Sequence, residues 1–134
     1  RFRTGDIVLL TGTGRCACGR TAPRFRVVGR SDDMVVVRGI NAFPAQVAAV
    51  LNGFDALSGE YRIVLEGGGP YDILPVEAEL AERLAGAAPE GLGEAVAAAI
   101  KRAIGVSARV ALVPFATLPR TAGKTRRVIR KERA

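Results

Sequence analysis

Histidine and tryptophan are absent from these 134 residues, methionine occurs once and cysteine twice. Without histidine or a third cysteine, the chain cannot complete the four-ligand set of a structural zinc site by itself. Cys16 and Cys18, in a Cys-x-Cys-Gly turn, could supply at most half of a metal site. The other reading is a pair of reduced thiols in a tight turn. A disulfide across one residue would be strained, and nothing resembling a secretory leader points to an oxidising compartment. Aromatics are only 5% of the chain, so the core has to be built from aliphatic side chains, much of the 49% hydrophobic content being Ala and Val. No apolar run approaches the roughly 18–20 residues that span a bilayer. The chain reads as soluble, with the cytoplasm as the expected compartment. It starts at Arg1 and its one methionine is Met34, from which we expect a piece of a longer polypeptide.

What is abundant is positive charge. The net charge is +7, and arginine far outnumbers lysine. Such a balance suits an anionic partner: a nucleic acid, a nucleotide or other phosphorylated molecule, or a membrane surface. It equally suits an arginine face meeting an acidic partner domain. The length suffices for one domain burying about two-thirds of its unfolded surface.

Asp6 to Thr11 reads as a short strand, followed by a glycine-rich turn through Gly19. Arg24 to Arg30 alternates as a strand with one polar face. Ser31-Asp32-Asp33 breaks regular structure, and Met34 to Arg38 reads as a buried strand ending at Gly39. Pro44 suits the first turn of a helix that carries Val47, Val50 and Leu51 on one side and stops at Asn52-Gly53. Tyr61 to Glu66 and Ile73 to Leu80 read as a hairpin around Gly67-Gly68-Gly69-Pro70. Glu77 and Glu79 alternate with Val76, Ala78 and Leu80, which predicts a solvated face. Pro89 to Ile104 is a second helix with Leu92, Val96, Ala99, Ile100 and Ala103 as its apolar stripe and Gly105 as its cap. Arg109 to Val113 is a further strand, and Val128 to Ile129 a short terminal one. The fold class is α+β: a small N-terminal β region and hinge, then a β-α-β-β-α-β succession of the ferredoxin-like, split βαβ kind.

The segment Pro114 to Thr125 is the longest lacking either period, a length more often functional than not. Its end, Leu118-Pro119-Arg120-Thr121-Ala122-Gly123-Lys124-Thr125-Arg126-Arg127, sets a lysine directly after a glycine. Glycine allows close backbone approach, so the ammonium of Lys124 could reach a phosphate or an acyl oxygen. A P-loop is excluded, because Leu118 stands where its first glycine belongs and no strand-loop-helix pattern surrounds it.

Three segments together resemble the acyl-adenylate-forming ligases: Arg3-Thr4-Gly5-Asp6, Gly29-Arg30-Ser31-Asp32-Asp33-Met34 with Arg38-Gly39, and Leu118 to Lys124. Cys-x-Cys-Gly-Arg-Thr-x-Pro-Arg and Asn-x-Phe-Pro make the chain similar to one branch, the phenylacetate-CoA ligases. The resemblance implies a reaction of ATP (with Mg), an aryl acid and CoA through an acyl-adenylate. Lys124 is then the catalytic lysine, a cation placed where charge builds on phosphate oxygens. Asp6 is implied to accept hydrogen bonds from ribose hydroxyls, although it could simply stabilise a turn. Arg30 is implied to contact the nucleotide, although it could simply pair with Asp32 or Asp33. Asp32 is implied to be the hinge and Gly39 to face CoA, the latter compatible with a plain β-turn at positive φ. Residues 1–31 would be the distal end of an adenylating domain and 32–134 a mobile lid. The partners implied are the rest of that adenylating domain, the small molecules and a second copy in a homodimer, with neither nucleic acid nor membrane. The sequence departs from the family at Ala45-Gln46-Val47-Ala48-Ala49, which lacks the usual acidic residues. Another class, a basic RNA-binding module of the same plan, would stack bases on aromatic strand residues. Here those strands carry Val35, Val36, Val37, Val110 and Leu112 instead.

Overall fold

The computed structural model describes residues 2–120 and 126–131. The chain opens with an antiparallel hairpin of β1 (Asp6–Gly12) and β2 (Arg24–Arg30). A smaller hairpin, β3 (Val35–Val37) and β4 (Ile40–Ala42), leads into helix α1 (Pro44–Leu51). The main layer comprises β5 (Leu57–Glu66), β6 (Leu74–Leu80), β7 (Ala108–Val113) and β8 (Val128–Lys131), in the order β7-β6-β5-β8. Helix α2 (Leu92–Ile104) connects β6 to the parallel strand β7. The mixed α+β class is as expected.

The strand order departs from the split arrangement. Strands β6 and β7 lie side by side, so β6-α2-β7 is an unsplit crossover, and Val35–Val37 pairs with Ile40–Ala42 outside the main sheet. The cause is local. Arg38 (φ 49°) and Gly39 (φ 80°) both adopt positive φ, the requirement of a two-residue type I′ turn, which folds the strand back on itself. The edge position beside β5 is taken instead by β8, in parallel register from Ile63↔Val128 to Glu66↔Lys131.

Helix α1 begins at Pro44, whose missing N–H costs nothing in the first turn and whose φ is already helical. The Gln46 side chain accepts a hydrogen bond from the Phe43 N–H at 3.0 Å, steadying the entry. Helix α2 starts at Leu92, three positions later than Pro89, because Gly91 (φ 71°) is left-handed and interrupts any earlier turn. Gly105 (φ 89°) ends it, its N–H bonded to the Lys101 carbonyl. Leu92, Val96 and Ile100 are buried as the stripe predicted, whereas Ala103 is exposed. They share one core with Val47 and Leu51 of α1 and with Ile63, Leu65 and Val76 of the sheet. Each such side chain contributes about 1.5–3 kcal/mol by leaving water.

Tyr61 ties the layers together: its hydroxyl donates to the Pro44 carbonyl at 2.7 Å. Burial pushes its phenol up from 10.0 to about 12, with the nearby Arg127 cation opposing the shift. A raised phenol favours the neutral form in the fold. Its contribution is therefore complete below pH 10 and lost as the pH climbs towards about 12. Tyr61→Phe should remove the corresponding part of the alkaline fall in melting temperature, at a cost near 1 kcal/mol at neutral pH. Melting curves of both proteins from pH 8 to 12 check this, and parallel curves would contradict it.

The first hairpin is seated against Phe43, the N-cap residue of α1. A Cβ on Gly29 would come within 2.7 Å of Phe43 Cδ1, so β2 lies directly on that ring. Most of the hairpin's apolar side chains face solvent, among them Val8, Leu10, Phe25 and Val27, each at least half exposed, while Ile7 and Val28 are half-buried. Among the described residues no helix is long and apolar enough to cross a membrane.

One element of the alternation reading needs correction. Glu77 is only half-buried, but Glu79 is fully buried rather than solvated. Period two assigns Glu79 correctly to the face opposite Ala78 and Leu80. What it omits is that Leu118 and Arg120 lie across that face.

Candidate functional site

Pairing of β1 with β2 sets Asp6, the first residue of one strand, opposite Arg30, the last of the other. The Arg30 guanidinium is the hub of what results. Its Nε and Nη2 make a two-pronged contact with the Asp32 carboxylate at 2.9 and 3.0 Å, the strong fork-on-carboxylate geometry. Its Nη1 donates to the Thr4 carbonyl at 3.1 Å and lies 3.6 Å from Asp6 Oδ1. Ser31 closes the opposite side, its N–H and hydroxyl both donating to the Gly5 carbonyl, at 2.8 and 3.1 Å. Gly5 is at φ 77°, the left-handed region that favours glycine. The charges reinforce one another. Hydrogen bonding to Asp32 raises the Arg30 pKa, and the guanidinium lowers that of Asp32.

These residues line an open cleft of about 720 Å³ running from Phe2 to Ile7 and from Arg30 to Asp32. The Asp6 and Arg30 side chains are 35% and 42% exposed, so both can be reached by a ligand. A carboxylate with unfilled lone pairs suits a vicinal diol, and a guanidinium beside it suits an anion. Asp32, expected as a hinge, is held by Arg30, so the plain ion pair foreseen for Arg30 is present in the same geometry.

Gly39 lies at the tip of the second hairpin, outside this cleft, and a Cβ there would meet nothing within 4 Å. Its glycine is demanded by φ, not by crowding. Beside it Arg38 donates its N–H to the Tyr71 carbonyl at 2.9 Å and pairs with Asp72 in solvent.

Cys16 and Cys18 sit in the turn between β1 and β2, both unbridged. The Cys16 N–H bonds the Arg20 carbonyl, and the Gly19 N–H bonds the Cys16 carbonyl, each at 2.8 Å. Hydrogen bonds from the Cys18 backbone and thiol, then from Arg24, lower the Cys16 pKa. Among the described residues no cluster of three or more His, Cys, Asp or Glu side chains could hold a metal ion.

Lys124 lies outside the described residues, but the chain on either side of it does not. On the near side, Glu79 accepts hydrogen bonds from the Leu118 N–H at 3.0 Å and from Arg120 Nη2 at 2.6 Å. On the far side, Arg127 Nη1 donates to Glu60 Oε2 at 2.6 Å and to the Tyr61 carbonyl at 3.0 Å. The Arg127 guanidinium also covers the Tyr61 ring at 4.8 Å. Leu118, Pro119, Arg126 and Arg127 line one small cavity of about 40 Å³, which sets the two flanks side by side. Glu60 had no place in the sequence reading, Glu79 stood there only as a solvated strand residue, and Arg127 only as the end of the lysine segment. A signal for them existed: with 13 acidic residues against 20 basic ones, a strand carboxylate is a ready partner for a motif arginine.

Comparison with known proteins bears on this arrangement. A phenylacetate-coenzyme A ligase of Thermus thermophilus is 35% identical over 146 residues, covering 96% of this chain and 33% of its own length. The chain thus spans about a third of the length of the curated relatives it matches. Among solved structures, 2-hydroxyisobutyryl-CoA ligase in the postadenylation state, in complex with R3-HIB-AMP, is 34% identical and superposes with a TM-score of 0.83, covering 96% of this chain and 28% of that one. The same ligase in the thioesterification state, with 2-HIB-AMP and CoA, covers the same shares at 36% identity but superposes with a TM-score of only 0.65. The family model of the AMP-binding enzyme C-terminal domain matches residues 39–132, most of the length, and the chain belongs to that family.

Proposed function

We propose that this chain is the C-terminal part of an ATP-dependent, AMP-forming aryl-acid CoA ligase, with phenylacetate as the first-choice acid and another aryl acid as the alternative. One observation carries the reading: β1 and β2 bring Asp6 and Arg30 together in an open cleft that ends at Asp32, in a chain of the AMP-binding C-terminal family. In the first half-reaction a carboxylate oxygen attacks the α-phosphorus of ATP, a new P–O bond forms, and pyrophosphate leaves. In the second, the CoA thiol attacks the acyl carbon and AMP leaves. Asp6 accepts hydrogen bonds from the ribose hydroxyls and Arg30 faces the nucleotide. Lys124 supplies a cation to the phosphate oxygens as negative charge redistributes there. Magnesium arrives as the counter-ion of the ATP phosphates.

Residues 1–31 belong with the adenylating domain, and 32–134 form the lid that turns about Asp32. The unequal superposition on the two states of one neighbour supports this division. A protein whose counterpart of this chain were rigid would superpose equally well in both. The better match is to the postadenylation state, so we read the Arg30–Asp32 contact as belonging to that pose. After rotation the exposed hairpin tip at Gly39 faces CoA. The half-exposed apolar side chains of β1 and β2 suit burial against the rest of the adenylating domain.

AMP release by the full-length enzyme, measured with ATP, CoA and a panel of aryl and aliphatic acids, tests the reading. Turnover is expected with arylacetates ahead of aliphatic acids, and none from these 134 residues alone. If no acid in the panel elicits AMP, the ligase reading fails.

A further inference from the structure

Glu79 is the buried charged residue among those described, with 0% of its surface exposed. Burying a carboxylate is costly, and for stability alone an apolar side chain of similar volume would often serve as well or better. Its two oxygens are instead fully engaged. Oε1 accepts from Ser58 Oγ at 3.0 Å and from Arg120 Nη2 at 2.6 Å, and Oε2 accepts from the Leu118 N–H at 3.0 Å. Burial works to raise its pKa, but these donors, with the Ala116 N–H, overcome that and hold the carboxyl below its usual range.

Two of the three contacts act on different parts of one strand-crossing segment, and the third comes from β5. The Leu118 N–H fixes the backbone, Arg120 fixes a side chain, and Ser58 holds the carboxylate itself from the neighbouring strand. Leu118 is buried at 4% exposure, and the Arg120 guanidinium also stacks over Phe115 at 4.6 Å. Arg120 is 44% exposed, so the cluster lies at the rim of the fold and not deep in its core. Leu118 and Arg120 belong to the same motif as Lys124, which follows Arg120 four positions later in the sequence.

We propose that Glu79 is a positioning residue for acyl-adenylate formation: by clamping Leu118 and Arg120 to β6 it sets where the chain bearing Lys124 departs from the sheet. This rests on the reading of Lys124 given above. Adenylation depends on a cation placed with sub-ångström accuracy, and a misplacement of about 1 Å can cost about a hundred-fold in rate. Thioester formation from an acyl-adenylate already made does not use that cation, so it should not feel the clamp.

The test separates the two half-reactions in the full-length enzyme, comparing Glu79→Gln, Lys124→Ala and the double variant. Glu79→Gln is expected to lower kcat for acyl-adenylate formation by about ten- to a hundred-fold, with KM for ATP and acid within about twofold. Thioester formation from supplied acyl-adenylate stays near the wild-type rate. The double variant is no slower than Lys124→Ala, because a clamp without its lysine has nothing left to position. Multiplying losses in the double variant, or equal losses in both half-reactions, overturn the proposal in favour of a general structural role. Wild-type adenylation by Glu79→Gln beside an impaired Lys124→Ala overturns this proposal alone. Wild-type adenylation by Lys124→Ala removes the role of the lysine, and the clamp's purpose with it. If Glu79→Gln does not fold, Arg120→Gln removes one arm of the clamp without touching the buried carboxylate. It should show the same selective loss, and no loss there is a negative result for the clamp.

Discussion

Lys124→Ala in the full-length enzyme is expected to slow acyl-adenylate formation by about 10²–10³-fold, the usual consequence of removing one positioned charge or donor from a developing oxyanion. The size follows from electrostatics. As the carboxylate adds to the α-phosphorus, negative charge shifts towards the phosphate oxygens and the departing pyrophosphate. A cation about 4 Å away at an effective dielectric near 20 is worth about 4 kcal/mol, and the loss of about 2.7–4 kcal/mol corresponds to that range. Because the interaction strengthens only as charge moves, the effect belongs in kcat, with a smaller one on the KM for ATP. Lys124→Arg keeps the charge but exchanges a compact ammonium for a planar fork on a longer stem, so only part of the rate should return. Single-turnover pyrophosphate release measures all three proteins directly. Equal rates in wild type and Lys124→Ala would remove the lysine from the mechanism, whatever the rest of the site does.

Much of this architecture is legible in the chain because its determinants are local. Pro44 and Gly105 mark helix boundaries through fixed or unusual φ, and the structure places the boundaries there. The meeting of Asp6 and Arg30 follows from two strands joined by a glycine-rich turn, since antiparallel pairing sets the start of one opposite the end of the other. Even the pairing of Arg30 with Asp32 is a matter of two residues' separation. What is not legible depends on what covers a face or interrupts a period. The start of β5 at Leu57 is masked by an irregularity before Tyr61, where Gly59 at φ 88° breaks the alternation. Val35–Val37 has the composition of a central strand, yet positive φ at Arg38 and Gly39 turns it into an outlying hairpin. Glu79 is the most consequential case. Alternation gives its side of the sheet, but its burial is decided by a segment 39 residues further along. No periodicity within β6 carries that information.

The same distinction separates the two sides of the proposed hinge. Arg30 is shared: one end of its guanidinium holds Asp32, while Nη1 reaches the Thr4 carbonyl and approaches Asp6. The contact to Asp6 is the longer, 3.6 Å against 2.9 Å, and both its side chains are more than a third exposed, so the stability it contributes is small. This leaves the Asp6 carboxylate available to a ligand without first dismantling the arginine's stronger contacts.

Asp6→Ala is therefore expected to separate binding from folding. Hydrogen bonds to a charged group are worth about 1.5–3 kcal/mol each, so losing even one of two ribose contacts should raise the KM for ATP by about ten- to a hundred-fold. The ribose does not react, and its contacts are similar before and during the transfer of the adenylyl group, so kcat should change less than KM. Asp6→Asn should fall between the two, because the amide keeps the shape and one acceptor but not the charge. Stability should move by no more than about 0.5 kcal/mol, as for other exposed substitutions, since Arg30 retains Asp32 and the Thr4 carbonyl. Initial rates over a range of ATP concentrations, with melting curves for the same proteins, check both halves. An unchanged KM for ATP in Asp6→Ala would show that the carboxylate serves only its ion pair with Arg30, 3.6 Å away. A raised KM accompanied by a large fall in melting temperature would instead make Asp6 a structural residue of the first hairpin, and the nucleotide would have to be held by Arg30 without it.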